Sequence, residues 1–128
     1  MKRIIIVDDS GTARMFIKRC FEISGCQDAE FIEAGNGQEA LEKLKGTTVD
    51  LVVSDLHMPE MDGTELLKRI KSSPRFHEIP VIIMSSAANP KKVEELKSLL
   101  ALDVLSKPVS PASVSKAIEP LLKSQEGS

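Results

Sequence analysis

What most constrains this chain is a recurrence. Five short apolar runs, at residues 3–8, 30–34, 51–55, 81–85 and 104–107, are each followed by a stretch with helical periodicity. Alternating strand and helix patterns specify parallel strands, because a right-handed crossover between two parallel strands needs a helix between them. The runs are continuous in Ile, Val and Leu rather than alternately apolar and polar, as strands covered on both faces are. The expected fold class is therefore α/β, a three-layer doubly wound sheet of five parallel strands. At 128 residues the chain is most simply one domain.

Helix starts are written into the sequence as caps. Asn36-Gly37-Gln38-Glu39 and Asp62-Gly63-Thr64-Glu65 each place a capping side chain three positions ahead of a glutamate, and Asn89-Pro90 and Ser110-Pro111 pair a cap with a first-turn proline. The inward positions predicted from spacing are Ala13, Phe16, Ile17, Cys20 and Phe21 in the first helix and Ala40, Leu41 and Leu44 in the second. Leu66, Leu67 and Ile70 follow in the third, Val93, Leu96, Leu99 and Leu100 in the fourth, and Val114, Ala117, Ile118, Leu121 and Leu122 in the fifth. Pro120 lacks an amide hydrogen and clashes with the preceding turn, so the last helix is expected to kink or stop near Glu119. Residues 1–123 then form the domain and residues 124–128 a short frayed tail.

Charge and composition exclude several functions. Seventeen basic residues against nineteen acidic ones leave a formal net charge of −2, which gives no electrostatic grip on nucleic acid. The first apolar run is too short for a secretory core and no run approaches bilayer length, so a cytoplasmic protein with no membrane partner is expected. Cys20 and Cys26 lack zinc-ligand and redox spacing and read as buried small hydrophobes, Cys26 in the loop after the first helix.

Parallel strands share a C-terminal edge, where open α/β sheets bind their ligands. On that edge lie Asp8 and Asp9 after strand one, Asp55 at the end of strand three, Ser85 and Ser86 after strand four, and Lys107 after strand five. Taken singly, each is as well explained as a helix cap or a solvated side chain. Their joint placement is not. Two unit charges about 4 Å apart repel by about 4 kcal/mol at an effective dielectric of about 20, so three clustered carboxylates need more than Lys107 to offset them. Hard oxygen ligands with room for water and phosphate oxygens suit Mg²⁺. Such an ion lets an anionic phosphoryl group approach Asp55 as nucleophile, with a serine hydroxyl and Lys107 holding the other phosphoryl oxygens. A flavodoxin-type cofactor site fits poorly, since Asp8 and Asp9 repel a flavin phosphate. An aspartate-nucleophile phosphatase wants a second Asp two residues after a strand-one nucleophile, and this chain has Asp8-Asp9-Ser10.

These segments together resemble a known family over nearly the whole chain. Val7-Asp8-Asp9-Ser10, the run from Asp50 through Asp55-Leu56-His57-Met58-Pro59 to Asp62-Gly63, Pro80-Val81-Ile82-Ile83-Met84-Ser85-Ser86-Ala87, and Lys107-Pro108 are similar to the receiver domain of two-component response regulators, in particular the single-domain chemotaxis type. The resemblance implies a flavodoxin-like sheet of order 2-1-3-4-5 and a cis Lys107-Pro108 bond. It implies Asp55 as phosphoacceptor, a Mg²⁺ site of Asp8, Asp9, Asp55 and the His57 backbone carbonyl, and Ser85 and Lys107 as phosphoryl contacts. The implied partners are a sensor histidine kinase or phosphotransfer protein and a downstream target bound after phosphorylation, the unphosphorylated chain being a monomer. The implied role is a signalling switch rather than an enzyme. A phosphotransfer intermediate, passing its phosphate to a histidine on another protein, is the alternative within the family. Output requires another molecule, since no output domain is expected in this sequence.

Two positions depart from the commonest family pattern. Val104 stands where an aromatic residue often couples to the phosphoryl-binding hydroxyl, and Ala87 stands two residues after Ser85, where a polar side chain can orient an attacking water. With Ala87, loss of phosphate from Asp55 is expected to be slow. Decay of labelled phosphoprotein should be faster in Ala87→Glu, and equal rates in the two proteins would contradict this.

Overall fold

The computed structural model describes residues 1–126, with side chains over 1–123. Five strands, β1 (Arg3–Val7), β2 (Glu30–Ala34), β3 (Leu51–Asp55), β4 (Val81–Ser85) and β5 (Asp103–Ser106), form one parallel sheet of order β2-β1-β3-β4-β5. Helices α1 (Gly11–Phe21), α2 (Gly37–Gly46), α3 (Gly63–Lys71), α4 (Pro90–Ser98) and α5 (Pro111–Glu126) connect and follow them. This is the three-layer doubly wound architecture expected. The Lys107-Pro108 bond is cis, as expected.

Alternate strand residues feed two separate cores, which is why the central strands β1, β3 and β4 are apolar along most of their length, while the edge strands β2 and β5 carry Glu30, Glu33, Asp103 and Ser106. Ile5, Val7, Val52 and Ile83 pack with Leu44, Leu66, Leu67, Ile70 and Leu96 of α2, α3 and α4. Ile4, Ile6, Leu51, Val53, Ile82 and Met84 pack with Ile17, Cys20, Phe21, Val114 and Ile118 of α1 and α5. Each wholly buried Ile or Leu contributes about 1.5–3 kcal/mol relative to exposure. The four predicted caps form. Asn36, Asp62 and Asn89 accept from the amides of Glu39, Glu65 and Lys92, and Ser110 and Ser113 cap each other reciprocally, side chain to main-chain amide.

Several expectations need correction. Phe16 is 49% exposed rather than inward, and its ring lines a shallow apolar groove with Lys107, Pro108 and Val109. Leu100 is 67% exposed, because the helix has already ended and the residue takes the left-handed turn, with φ 76°. A wider helical turn from Glu22 prolongs α1 until Gly25, at φ 107°, turns the chain, and Cys26 follows that turn. Both cysteines are buried and unpaired, and burial pushes their thiols up. The last helix neither stops nor is interrupted at Pro120. The proline and Lys116, whose carbonyl loses its partner, are both on the exposed side, where water can serve that carbonyl, while Val114, Ala117 and Ile118 anchor the preceding turns. The helix also takes in residues 124–126 of the segment expected to fray, and residues 127–128 lie outside the described residues.

Gly63 sets how closely α3 approaches β3. Its amide donates to the Leu56 carbonyl at 2.8 Å, and a Cβ placed on it would lie 2.6 Å from the Asp55 carbonyl oxygen and 2.9 Å from the Leu56 Cα. Those neighbours are backbone and cannot rotate away. Gly63→Ala is expected to destabilise the fold by about 1–3 kcal/mol, as overpacking does. Gly46→Ala, whose Cβ meets nothing within 4 Å, should be neutral or stabilising by about 0.5–1 kcal/mol. Urea unfolding midpoints of the two variants check both signs.

Candidate functional site

The parallel register brings the acids together. Val7 pairs with Ser54 across β1 and β3, so the next residues along, Asp8 and Asp55, emerge side by side at the C-terminal edge. Asp8, Asp9 and Asp55 each offer a carboxylate oxygen, and these oxygens all lie within 4.8 Å of one another, close enough for one ion to reach all three. Asp8 is 1% exposed, Asp55 is 7% exposed, and Asp9 is open to solvent. The cluster is thus a buried floor with an accessible rim.

The two buried acids are each fixed by a different part of the chain. The Asp8 amide donates to the Ala34 carbonyl at 3.1 Å, and one Asp8 carboxylate oxygen accepts from the Ser10 amide at 2.9 Å. Ser10 in turn caps α1 through the Ala13 amide. Asp55 is the last residue of β3, and the His57 amide lies 3.4 Å from its Oδ1. His57 itself is exposed, so its side chain takes no part in holding the acids.

Lys107 reaches in from the opposite side of the edge. Its Nζ donates to Asp8 Oδ2 at 2.9 Å and lies 3.4 Å from Asp55 Oδ2. Burial pushes the ammonium down, but the hydrogen bonds and charges of Asp8 and Asp55 more than offset this and leave it above the ordinary lysine range. Because the folded value is raised, the ion pairs stabilise the fold fully below the unfolded lysine's pKa of about 10.4, and this is lost only as pH climbs through the folded value. The contact survives throughout the physiological range.

Ser85 is buried at the end of β4, and its Oγ accepts from the Ala87 amide at 3.1 Å. Its carbonyl accepts from the Lys107 amide at 2.9 Å, which ties the ends of β4 and β5 together. Val104 is half-buried in β5 against the core around Leu96 and Ile83. All the residues predicted from sequence therefore lie on one edge, and Asp8, Asp9, Asp55 and Lys107 are in mutual contact or within one ion's reach. The one polar neighbour that sequence reasoning missed is Arg14. Helical spacing puts it on the outer face of α1, yet its guanidinium turns back to the Asp8 carbonyl at 2.6 Å. Periodicity reports where a Cβ points and carries no signal for where a long side chain ends.

A 2-1-3-4-5 parallel sheet with a hydroxyl, an ammonium and three carboxylates at its C-terminal edge defines a doubly wound α/β domain with an acidic edge site. The response regulator receiver domain family matches residues 4–119. The chain belongs to that family. It is 36% identical to the two-component response regulator ARR5 of Arabidopsis thaliana, over 96% of this chain and 72% of the relative. It is 32% identical to the chemotaxis protein CheY1 of Helicobacter pylori, over 94% of this chain and 96% of the relative. Among solved structures it superposes on chemotaxis protein CheY4 of Vibrio cholerae with a TM-score of 0.81 at 28% identity, covering 94% and 98% of the two chains. The signal receiver domain of a DNA-binding response regulator from Colwellia psychrerythraea matches with a TM-score of 0.84 at 30% identity, covering 96% and 99%. No helix among the described residues is long and apolar enough to cross a membrane.

Removing Lys107 leaves Asp8 and Asp55 buried without their cationic partner. Lys107→Met is expected to lower stability in metal-free buffer by about 2–4 kcal/mol, somewhat less than for a wholly buried pair because the lysine side chain is 24% exposed. Adding a divalent cation should then raise the melting temperature of the variant more than that of the parent, since the uncompensated charge is larger. Calorimetric melts with and without chelator check both expectations.

Proposed function

We propose that this chain is a Mg²⁺-dependent phosphoacceptor switch of a two-component phosphorelay, phosphorylated on Asp55 and acting by binding another protein in its phosphorylated form. The observation that carries this reading is the convergence of Asp8, Asp9 and Asp55 within 4.8 Å, with Lys107 Nζ 3.4 Å from the acceptor carboxylate.

The donor set fits Mg²⁺: hard carboxylate oxygens on a buried floor, with exposed Asp9 leaving one side open for water and phosphoryl oxygens. Asp8, Asp9, Asp55 and the His57 backbone carbonyl would hold the ion. When bound, Mg²⁺ supplies charge neutralisation between the acceptor carboxylate and the incoming phosphoryl group. The chain's own residues supply the rest. A carboxylate oxygen of Asp55 forms the new P–O bond as the P–N bond of a kinase or phosphotransfer phosphohistidine breaks, the electron pair leaving with the imidazole nitrogen. Lys107 stays protonated and turns its ammonium from two carboxylates to a phosphoryl oxygen. The groove of Phe16, Pro108 and Val109 adjoins Lys107 and offers the donor an apolar surface beside the acceptor.

Ser85 links this chemistry to the surface. Its hydroxyl accepts from Ala87 and keeps its own proton free to donate to a phosphoryl oxygen. Drawing Ser85 towards Asp55 would carry the following turn and, through the Lys107 amide bond to the Ser85 carbonyl, the end of β5. That route runs through main chain and does not need an aromatic ring at position 104.

Incubation with a small-molecule phosphodonor, with and without Mg²⁺, followed by mass spectrometry of the Asp55 peptide, tests the assignment. Modification should require the metal and disappear in Asp55→Asn. Metal-independent modification, or modification that persists in the variant, overturns the reading.

A further inference from the structure

We infer that Arg14 is a positioning residue for the metal-binding loop. It would act on the proposed Mg²⁺ site, and so rests on that reading, by fixing the peptide plane that joins Asp8 to Asp9. Its Nη1 donates to the Asp8 carbonyl at 2.6 Å while its Nε donates to Glu33 Oε1 at 2.8 Å. One planar fork therefore spans the β1–α1 loop and the edge strand β2. Lysine, with a single point-like ammonium, cannot reproduce that span.

The guanidinium lies beside two glycines at distances where even a Cβ would make ordinary contact, 3.4 Å from Nη2 at Gly11 and 3.9 Å from Nη1 at Gly35. The Arg14 side chain is only 21% exposed although it starts from the outer side of α1. The Asp8 amide is already bound to the Ala34 carbonyl, so the Arg14 contact completes the main-chain hydrogen bonding of this residue. The carbonyl belongs to the peptide between the two acids, and its direction sets ψ of Asp8 and φ of Asp9. Asp8 has further restraints on its carboxylate from Ser10 and Lys107, whereas Asp9 is exposed. The aim of the Asp9 carboxylate thus depends on the plane that Arg14 holds. Groups that orient metal ligands in this way are worth about 10–100-fold in metal affinity.

Charge and positioning predict opposite signs, which makes the inference testable. A cation beside the acids weakens Mg²⁺ binding, so if charge alone mattered, Arg14→Met would bind Mg²⁺ more tightly and Arg14→Lys would match the parent. If Arg14 positions the loop, both variants lose affinity, by about tenfold at the low end of that range. The sequence has no Trp to report binding, so the probe is MgCl₂ titrated into ¹⁵N-labelled protein, read at the Asp9 and His57 amides. Melting in chelator, measured alongside, separates a general loss of stability from a change in the site, and Arg14→Lys carries the test should Arg14→Met fail to fold. Weaker Mg²⁺ binding in folded Arg14→Lys supports the inference. Unchanged or tighter binding overturns it, while a parent protein that shows no Mg²⁺ response overturns the functional reading instead.

Discussion

The mutual repulsion of three carboxylates held within 4.8 Å is the constraint on which the rest of this structure turns. Unrestrained, such groups separate or take up protons, because each close pair costs several kcal/mol even at an intermediate dielectric. Here the sheet removes the first escape. Asp8 directly follows the buried Ile4–Val7 run and Asp55 closes β3 after Leu51, Val52, Val53 and Ser54, so moving either apart would mean sliding a strand whose side chains are locked in two cores. Hydrophobic packing thus enforces an electrostatic arrangement that no local preference would choose. Lys107 offsets part of the repulsion and leaves the remainder to be satisfied from outside the chain.

The same logic explains why the edge is built largely from backbone contacts. Gly63 lets α3 press against the Asp55 carbonyl, the Asp8 amide is spent on Ala34, and the Lys107 amide is spent on Ser85. Fixed main chain leaves the carboxylates and the ammonium little freedom to drift, so their geometry is set before any ligand arrives. Asp9 is the exception, since its carboxylate is exposed and makes none of these contacts. Its aim depends on the peptide plane behind it, and that is where the guanidinium of Arg14 bears.

Much of this was legible in the sequence because it rests on local rules. Continuous apolar runs gave strands at residues 30–34, 51–55 and 81–85 with the observed boundaries, and caps at Asn36, Asp62, Asn89 and Ser110 marked where helices begin. Strand ends carry the predicted site residues, so knowing the strands located Asp8, Asp55, Ser85 and Lys107 together. What escaped depends on three-dimensional neighbours. Phe16 obeys the periodicity of a buried position, yet it is half exposed and lines an open groove with Pro108 and Val109. Leu100 obeys the same periodicity two residues past Ser98, where its helix ends. Pro120 breaks a local rule, but the carbonyl it orphans is on the solvent side, opposite the inward face of Val114, Ala117 and Ile118, and the proline rule taken alone does not weigh that side.

On the proposed reading, a charge count ties a divalent ion and a phosphoryl group to one design. Three carboxylates and one ammonium leave the site with a formal charge of about −2, and the Arg14–Glu33 pair beside it adds nothing net. A divalent cation brings that sum to about zero, at which point a phosphoryl dianion can approach without opposition. Forming the aspartyl phosphate consumes the charge of one carboxylate and adds about two, so the product with its ion stands near −1, whereas without the ion it would stand near −3. The first sum is less negative than that of the ion-free site before reaction, and the second is more negative. On an edge whose geometry cannot relax, that difference makes cation binding and phosphoryl acceptance two parts of a single electrostatic balance, with Lys107 the one cationic contributor in direct contact with both Asp8 and Asp55 among the described residues.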